Sequence, residues 1–291
     1  MTPLRTLAAA VAVIAAMTAP ADAQTVAETD DQADDAVCGG PDAPCEIEGG
    51  LYHFSPAGAP DAPAVIFLHG WGGTGRGVIR NRGLANRLRD RGYALIAPQG
   101  MPRWEGDEGG GWSSVPGRER RDDVAFLAAV AGDAAARHGV DRRRIVLAGF
   151  SGGGMMTWRT ACEAPDSFAA YAPVAGLLWR PLPESCAGPF RMLHTHGWSD
   201  VVVPIEGRSV AGGQITQGDL FRGLDLLRAA LGCVKDDPDA YAERDAYLIR
   251  RWTDCAEGGE LEMALHPGGH GVPRGWDALA LDWYEGAAEG D

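Results

Sequence analysis

Residues 149–153 read Gly-Phe-Ser-Gly-Gly, a G-x-S-x-G motif that sets one serine between small neighbours. The run 144–148 before it predicts a short buried strand, and the run 154–161 after it predicts the start of a helix. A sharp strand-to-helix turn exposes the serine hydroxyl and aims the first N–H groups of the helix at the same point. The motif therefore predicts acyl transfer from an ester-like carbonyl with Ser151 as nucleophile. A glycine-rich turn without serine chemistry is the alternative.

The carboxylate that such a serine needs is expected downstream, because the motif's usual chain order is serine, acid, histidine. Asp200 follows the predicted strand 190–194 and therefore comes at the carboxyl end of a strand. We expect it to be the acid, and an aspartate that caps a turn or a helix is the alternative. Asp236 and Asp237, in a polar loop, are weaker candidates.

The histidine that would act as the base is expected after the acid. His270 lies between glycines after the predicted strand 261–265, so its loop can bring the imidazole to a serine hydroxyl. His266 is the local rival, at a strand end where a structural histidine is also expected. His194 and His196 precede the acid and are out of order.

Two backbone N–H groups should bind the oxyanion that forms during attack. The first is expected from Gly152, directly after the serine. The second is expected from the glycine-rich loop that follows the predicted strand 64–68, with Trp71 as the first choice and Gly72 as the alternate. His69 in this loop is expected to be a hydrogen-bond partner that fixes the loop rather than a base.

Four tryptophans are candidates for an aromatic platform that holds an acyl group or a sugar. Core packing or a surface stack is the alternative for each, and we expect only one or two to line the cleft. Trp112, Trp198 and Trp104 are named as substrate-binding candidates, and Trp179 is the fourth.

The elements that position these residues alternate between apolar strands and amphipathic helices. This alternation predicts an α/β fold with a mostly parallel central sheet and helices on both faces, and such sheets carry their sites at the carboxyl ends of the strands. Strands are predicted over 51–54, 64–68, 93–97, 145–150, 168–175, 190–194, 247–252 and 261–265, and helices over 79–91, 122–138, 220–231 and 276–284.

The chain divides into three predicted segments. Residues 1–23 resemble a secretory signal, with Arg5 before a short apolar run and small residues at a cleavage site before Gln24; a buried or anchoring helix is the alternative. Residues 24–36 form an acidic, disordered lead-in, and residues 37–291 form a single catalytic domain. We expect a soluble protein that is exported to the periplasm or the medium.

The formal net charge is −14, which argues against nucleic acid and anionic membranes as partners. The composition leaves the oligomeric state open. No C-x-x-C spacing supports a zinc site, so we expect no metal, and the chemistry above requires no cofactor.

An even number of cysteines in an exported chain suggests disulfides, and the six present allow fifteen pairings. The nearest-neighbour scheme pairs Cys38 with Cys45, Cys162 with Cys186, and Cys233 with Cys255. Each loop closed in this way is short.

Together these motifs resemble one group of α/β-hydrolases, the secreted polyhydroxybutyrate depolymerases and feruloyl esterases. The resemblance covers nearly the whole chain from about Cys38 and implies a carboxylic-ester hydrolase with the triad Ser151, Asp200 and His270. The pairs Cys162/Cys186 and Cys233/Cys255 also look like that group's bridges. The segments that carry the resemblance are HGWGGTG at 69–75, RDDVAFL at 121–127, GFSGGGM at 149–155, APVAG at 172–176, HG at 196–197 followed by Asp200 and VP at 203–204, and GGH at 268–270.

Two departures from that group make ester hydrolysis a firmer expectation than attack on solid polymer. We expect no separate polymer-binding domain, and residues 271–273 read Gly-Val-Pro where many members have an aromatic residue and proline. Hydroxybutyrate oligomers, feruloylated or acetylated sugars and other esters all fit as substrates. The alternative functions are an acyltransferase or a serine peptidase on the same fold, or a non-catalytic binding module.

Overall fold

The computed structural model describes Met1 and residues 38–286. The predicted lead-in and all of the predicted signal segment except Met1 lie outside the described residues. The described residues 38–286 belong to one compact unit, and its catalytic role stays a prediction.

The central strands alternate their side chains between two apolar layers. In β3 (Ala62–Leu68), Val65 and Phe67 pack into one layer while Ile66 and Leu68 pack into the other. The strand β5 (Val140–Phe150) alternates in the same way. Because helices cover both faces, these strands have continuous apolar sequences rather than alternating ones.

Thirteen strands in the described residues form two sheets. The main sheet has the order β1-β2-β4-β3-β5-β6-β8-β13-β12-β11, and β7-β10-β9 form a small separate sheet. Strands from β4 to β13 in that order pair in parallel, and an antiparallel pair of strands extends each edge. The other strands are β1 (Cys45–Ile47), β2 (Gly50–Ser55), β4 (Ala94–Pro98), β6 (Ala170–Val174), β7 (Trp179–Arg180), β8 (Arg191–Gly197), β9 (Ser209–Val210), β10 (Ile215–Gln217), β11 (Ala240–Arg244), β12 (Tyr247–Trp252) and β13 (Glu260–His266).

Three helices pack on each face of the main sheet. Apolar residues of α1, α2 and α6 fill one apolar layer, and those of α3, α4 and α5 fill the other. The predicted α/β fold with a mostly parallel sheet is therefore confirmed. The helices are α1 (Gly75–Ile79), α2 (Arg82–Asp90), α3 (Asp123–His138), α4 (Gly152–Glu163), α5 (Leu220–Leu231) and α6 (Trp276–Glu285).

Helix ends follow from short polar side chains and glycines. Asp122 and Asp219 cap α3 and α5 by accepting a backbone N–H three residues ahead, and Gly139 and Gly232 end these helices with φ of 65° and 64°.

The prediction of one helix over 79–91 is wrong in its bounds: α1 ends at Ile79, and the Asn81 side chain caps a second helix.

The structure contains elements that the sequence patterns did not predict. These are β1, β11 and the small sheet, all of which are short or exposed. The strand predicted over 190–194 extends to Gly197, so His196 belongs to β8 and not to the following loop.

Three disulfides join Cys38 to Cys45, Cys162 to Cys186 and Cys233 to Cys255. These are the same pairs as in the nearest-neighbour scheme. Among the described residues, no helix has the length and apolar character needed to cross a membrane.

Candidate active site

Ser151 lies at the turn between β5 and α4 in a backbone conformation that non-glycine residues rarely adopt. Its φ is 56° and its ψ is −118°, and its N–H donates to the carbonyl of Val174 at 2.9 Å. A Cβ added to Gly149 would lie 2.6 Å from the carbonyl of Gly153, and one added to Gly153 would collide with the carbonyl of Leu68. Glycine is therefore required at both motif positions, because the backbones of β3, β5 and α4 approach too closely there to leave room for a side chain.

The structure brings Ser151, His270 and Asp200 into one hydrogen-bonded row. His270 Nε2 lies 2.9 Å from Ser151 Oγ, and His270 Nδ1 lies 2.7 Å from Asp200 Oδ2. The carboxylate can only accept, so Nδ1 of a neutral His270 carries the proton and Nε2 is free to accept the serine proton. The ring of Phe150 packs against the imidazole, with centroids 4.8 Å apart.

The carboxylate of Asp200 is buried and held by its own loop. Its Oδ1 accepts the backbone N–H groups of Val202 and Val203, each at 2.8 Å, which leaves Oδ2 directed at His270. The loop thus fixes the acid independently of the histidine, and this satisfies a buried charge that would otherwise be costly.

A line of buried rings lies behind this loop. The indole N–H of Trp158 donates to His194 Nδ1 at 3.0 Å, His194 Nε2 lies 3.1 Å from His196 Nδ1, and His196 Nε2 lies 2.8 Å from the carbonyl of Val203. An indole can only donate and a carbonyl can only accept, so each histidine carries its proton on Nε2. His196 Nε2 is also 3.6 Å from Asp200 Oδ2.

Burial keeps both of these imidazoles neutral. It lowers the pKa of His194 well below its usual value, and it lowers the pKa of His196 although the Val203 carbonyl and the charge of Asp200 act in the opposite direction. Neither histidine therefore presents a positive charge that would compete with His270 for the carboxylate.

Two backbone N–H groups next to Ser151 have no acceptor within the described part of the chain: those of Trp71 and Gly152. A Cβ placed on Gly152 would lie 3.3 Å from Trp71 N, so the two segments are in contact. The alternate donor, Gly72, already donates its N–H to the carbonyl of Gly110 at 2.8 Å. The geometry therefore fits Trp71 and Gly152 as the oxyanion donors.

His69 fixes the loop that carries Trp71. Its Nε2 accepts the N–H of Gly100 at 3.0 Å and its Nδ1 donates to the carbonyl of Gly70 at 2.8 Å, while Trp112 Nε1 donates to the His69 carbonyl at 2.8 Å. Burial lowers the pKa of His69 to about 4. The ring is a neutral hydrogen-bond partner.

A largely apolar cavity of about 410 Å³ opens beside Ser151, which is within the range of small-molecule sites. Its walls come from the Trp71 loop, the Asp200 loop, α4 and the small sheet. The lining residues are Trp71, Gly111, Trp112, Ser114, Val115, Ser151, Gly152, Met155, Trp179, Val202, Val203, Arg208, Val210, Ala211, Ile215 and Gln217.

The tryptophan candidates occupy different places. Trp112 and Trp179 line the cavity and are almost fully buried. Trp198 and Trp104 have 66% and 59% of their surface exposed and are not among the lining residues. The guanidinium of Arg103 lies 4.2 Å from the centroid of the Trp104 ring.

The rival candidates lie elsewhere. His266 ends β13, where its Nδ1 accepts the N–H of Gly268 at 3.1 Å. Burial lowers its pKa, and its hydrogen bonds do not include Ser151. Asp236 is fully exposed after α5, and its backbone carbonyl accepts from Trp252 Nε1.

Residues 54–216 match the phospholipase/carboxylesterase family. The putative esterase NocK of Nocardia uniformis subsp. tsuyamanensis is 36% identical over 171 residues, which are 55% of this chain and 47% of that protein. Feruloyl esterase C of Emericella nidulans is 29% identical over 151 residues, which are 49% of this chain and 50% of that protein. The chain thus spans about half the length of the curated relatives it matches.

Among solved structures, the acetyl xylan esterase from Aspergillus awamori superposes with a TM-score of 0.58 at 17% identity, over 81% of this chain and 94% of that one. A carboxylesterase from Bacillus cereus superposes with a TM-score of 0.56 at 15% identity, over 82% of this chain and 95% of that one. At these identities the likeness concerns the fold, which is that of the α/β-hydrolases. The chain belongs to the phospholipase/carboxylesterase family. The family match contains Ser151 and Asp200 and ends before His270.

Proposed function

We propose that this protein is a secreted serine hydrolase of carboxylic esters, with Ser151, His270 and Asp200 as its triad. The observation that carries the proposal is the row of hydrogen bonds at 2.7 and 2.9 Å beside the two N–H groups of Trp71 and Gly152. The family membership and the relatives named as esterases support the same chemistry.

In this mechanism Ser151 Oγ attacks the ester carbonyl while His270 Nε2 takes its proton. The N–H groups of Trp71 and Gly152 bind the oxyanion, and Asp200 stabilises the imidazolium that forms. His270 then gives the proton to the leaving alcohol, which leaves an acyl group on Ser151. Water, deprotonated by His270, releases the acid in the second half of the cycle.

The cavity indicates the size of the group that enters. Its walls include Trp112, Trp179, Met155 and Ile215, so an apolar or aromatic group with few polar atoms fits it best. We propose small and oligomeric esters as substrates, among them feruloyl, acetyl-sugar and hydroxybutyrate esters. A comparison of kcat/KM over these classes tests the order of preference.

The nucleophile is tested by Ser151→Ala with p-nitrophenyl butyrate as substrate. We expect turnover to fall by several orders of magnitude while the melting temperature stays close to that of the wild type. Ser167→Ala, at the end of the short helical turn after α4, is the matched control and should keep full activity. A fluorophosphonate probe should phosphonylate Ser151 with loss of fluoride, and the peptide that contains Ser151 should gain the mass of the phosphonyl group in place of the serine proton. Near wild-type turnover in the Ser151→Ala protein would overturn the assignment.

Secretion is supported by the three disulfides, since such bonds persist mainly in oxidising compartments. We expect the exported protein to begin at Gln24, which N-terminal sequencing of the purified extracellular or periplasmic fraction would show. Recovery of the full-length protein from the cytoplasm alone would contradict this proposal.

A further inference from the structure

The cavity beside Ser151 is lined by a single charged side chain, that of Arg208. The chain has 40 acidic and 26 basic residues, yet no carboxylate lines this cavity within the described part of the molecule. The carboxylate of Asp200 is held by Val202, Val203 and His270. A substrate in the cavity therefore meets a positive charge that stands out from an acidic surface.

Arg208 is held in place by its neighbours on both its backbone and its side chain. Its carbonyl accepts the N–H of Gln217 at 2.9 Å, and its Nε donates to the carbonyl of Val202 at 2.8 Å. Gln217 Nε2 donates to the same carbonyl at 3.2 Å. Gly207, with φ of 71°, lies where a Cβ would collide with the carbonyl of Gln217. The hydrogen bond from Nε thus directs the guanidinium of Arg208, a residue that is otherwise exposed.

The end of the guanidinium is left with unused donors. Neither Nη1 nor Nη2 of Arg208 has a hydrogen-bond or ion-pair partner among residues 38–286, whereas Arg103 and Arg121 near the site each pair with an aspartate. Two adjacent N–H groups of a guanidinium match the two oxygens of a carboxylate, and the planar group loses little freedom when it binds. The free end of Arg208 therefore fits an anion of this shape.

We propose that Arg208 makes this enzyme prefer esters that carry a carboxylate, such as monoesters of dicarboxylic acids or acyl esters of hydroxy acids. The inference rests on the proposed function, because it concerns the substrate of the same site. The carboxylate of the substrate pairs with Nη1 and Nη2 of Arg208, while its ester carbonyl faces Ser151. The apolar walls still accept neutral esters, which lack this one contact.

The test uses two pairs of esters. Within each pair, one ester carries a carboxylate and the other carries a neutral amide of the same shape at that position. Monomethyl adipate against methyl adipamate places the charge on the acyl side, and 4-(butyryloxy)benzoate against 4-(butyryloxy)benzamide places it on the alcohol side. For each, kcat/KM is measured at low salt and at high salt. We expect the wild type to prefer the acid in one pair by about tenfold, and the preference to shrink as salt is added.

Three variants assign the preference to the side chain. Arg208→Gln should lower the kcat/KM of the acid more than that of the matched amide, so that the preference is lost. Arg208→Lys should keep part of the preference for the acid, because lysine retains the positive charge but lacks the two parallel N–H groups of a guanidinium. Arg222→Gln is the matched control, because Arg222 is an exposed arginine on α5 outside the cavity, and it should behave as the wild type.

The outcomes separate this inference from the proposed function. Equal kcat/KM for acid and amide in both pairs, from a wild type that hydrolyses p-nitrophenyl butyrate through Ser151, would overturn the inference alone. Equal losses on acid and amide in Arg208→Gln would show that Arg208 only supports Val202, and would overturn it as well. Failure of the wild type on every ester would instead contradict the proposed function.

Discussion

His69 should make the folded state sensitive to acid. Burial lowers its pKa to about 4, whereas a histidine in an unfolded chain titrates near 6.5. Below about pH 6.5 the unfolded chain therefore binds a proton that the folded protein binds only near pH 4. The contribution of neutral, buried His69 to the free energy of unfolding is therefore complete above pH 6.5 and is lost as the pH falls towards 4.

The size of this effect follows from the two pKa values. Between pH 8 and pH 5, His69 alone should reduce the free energy of unfolding by about 2 kcal/mol. His69 is only 4% exposed, so solvent offers little relief of the charge that protonation would create. Protonation would also break the bond from the N–H of Gly100 to Nε2.

The assay is urea unfolding followed by tryptophan fluorescence at pH 8 and pH 5, with the disulfides kept oxidised. His69→Gln should be less stable than the wild type at pH 8, and its loss of stability from pH 8 to pH 5 should be smaller by about 2 kcal/mol. Trp112→Phe is the control, because it removes the bond to the His69 carbonyl without removing a titrating group. It should lower stability equally at both pH values. Parallel pH profiles for His69→Gln and the wild type would refute the reasoning.

Asp200→Asn should keep the fold but lower kcat on p-nitrophenyl butyrate by on the order of 10³-fold or more, because the amide no longer fixes the His270 proton on Nδ1; loss of less than tenfold would contradict the assigned role. Gly149→Ala should destabilise the protein by more than about 2 kcal/mol, because the new Cβ would lie 2.6 Å from the carbonyl of Gly153. Gly132→Ala on α3 is the control: its new Cβ meets nothing within 4 Å, and it should stabilise the protein by up to about 1 kcal/mol. Thermal unfolding of the two alanine variants measures both effects, and similar shifts would contradict the packing argument.

Some features could be predicted from the sequence because they depend on local patterns. The unbroken apolar runs of β3 and β5 follow from burial on both faces, and the turn at Ser151 follows from the need for small neighbours at Gly149 and Gly153. The chain order of acid and histidine then pointed to Asp200 and His270. Their coming together at hydrogen-bond distance depends on parallel strands that end at the same edge of the sheet.

Other features depend on contacts between distant segments. The choice between Trp71 and Gly72 depends on which N–H is already bonded, and the partner of Gly72 is a carbonyl almost forty residues later in the chain, at Gly110. The line from Trp158 to His196 requires α4 and β8 to meet. No local pattern around these residues specifies such a partner.

The small sheet is the largest part that the sequence patterns missed. Its strands have two or three residues, which is too short for the alternation that marks a strand. Trp179, Val210, Ile215 and Gln217 nevertheless come from it, and all four line the cavity. The cavity walls that we propose contact the substrate were therefore harder to predict than the proposed triad.

The separation of the small sheet from the main sheet also has an evolutionary consequence. The strands β7, β9 and β10 carry none of the residues Ser151, Asp200 or His270 and belong to connections that leave the ten-stranded scaffold. Mutations, insertions or exchanges in these connections can reshape selectivity while the reaction machinery stays intact. Laboratory diversification aimed at new ester preferences would therefore begin most productively in residues 179–180 and 207–217.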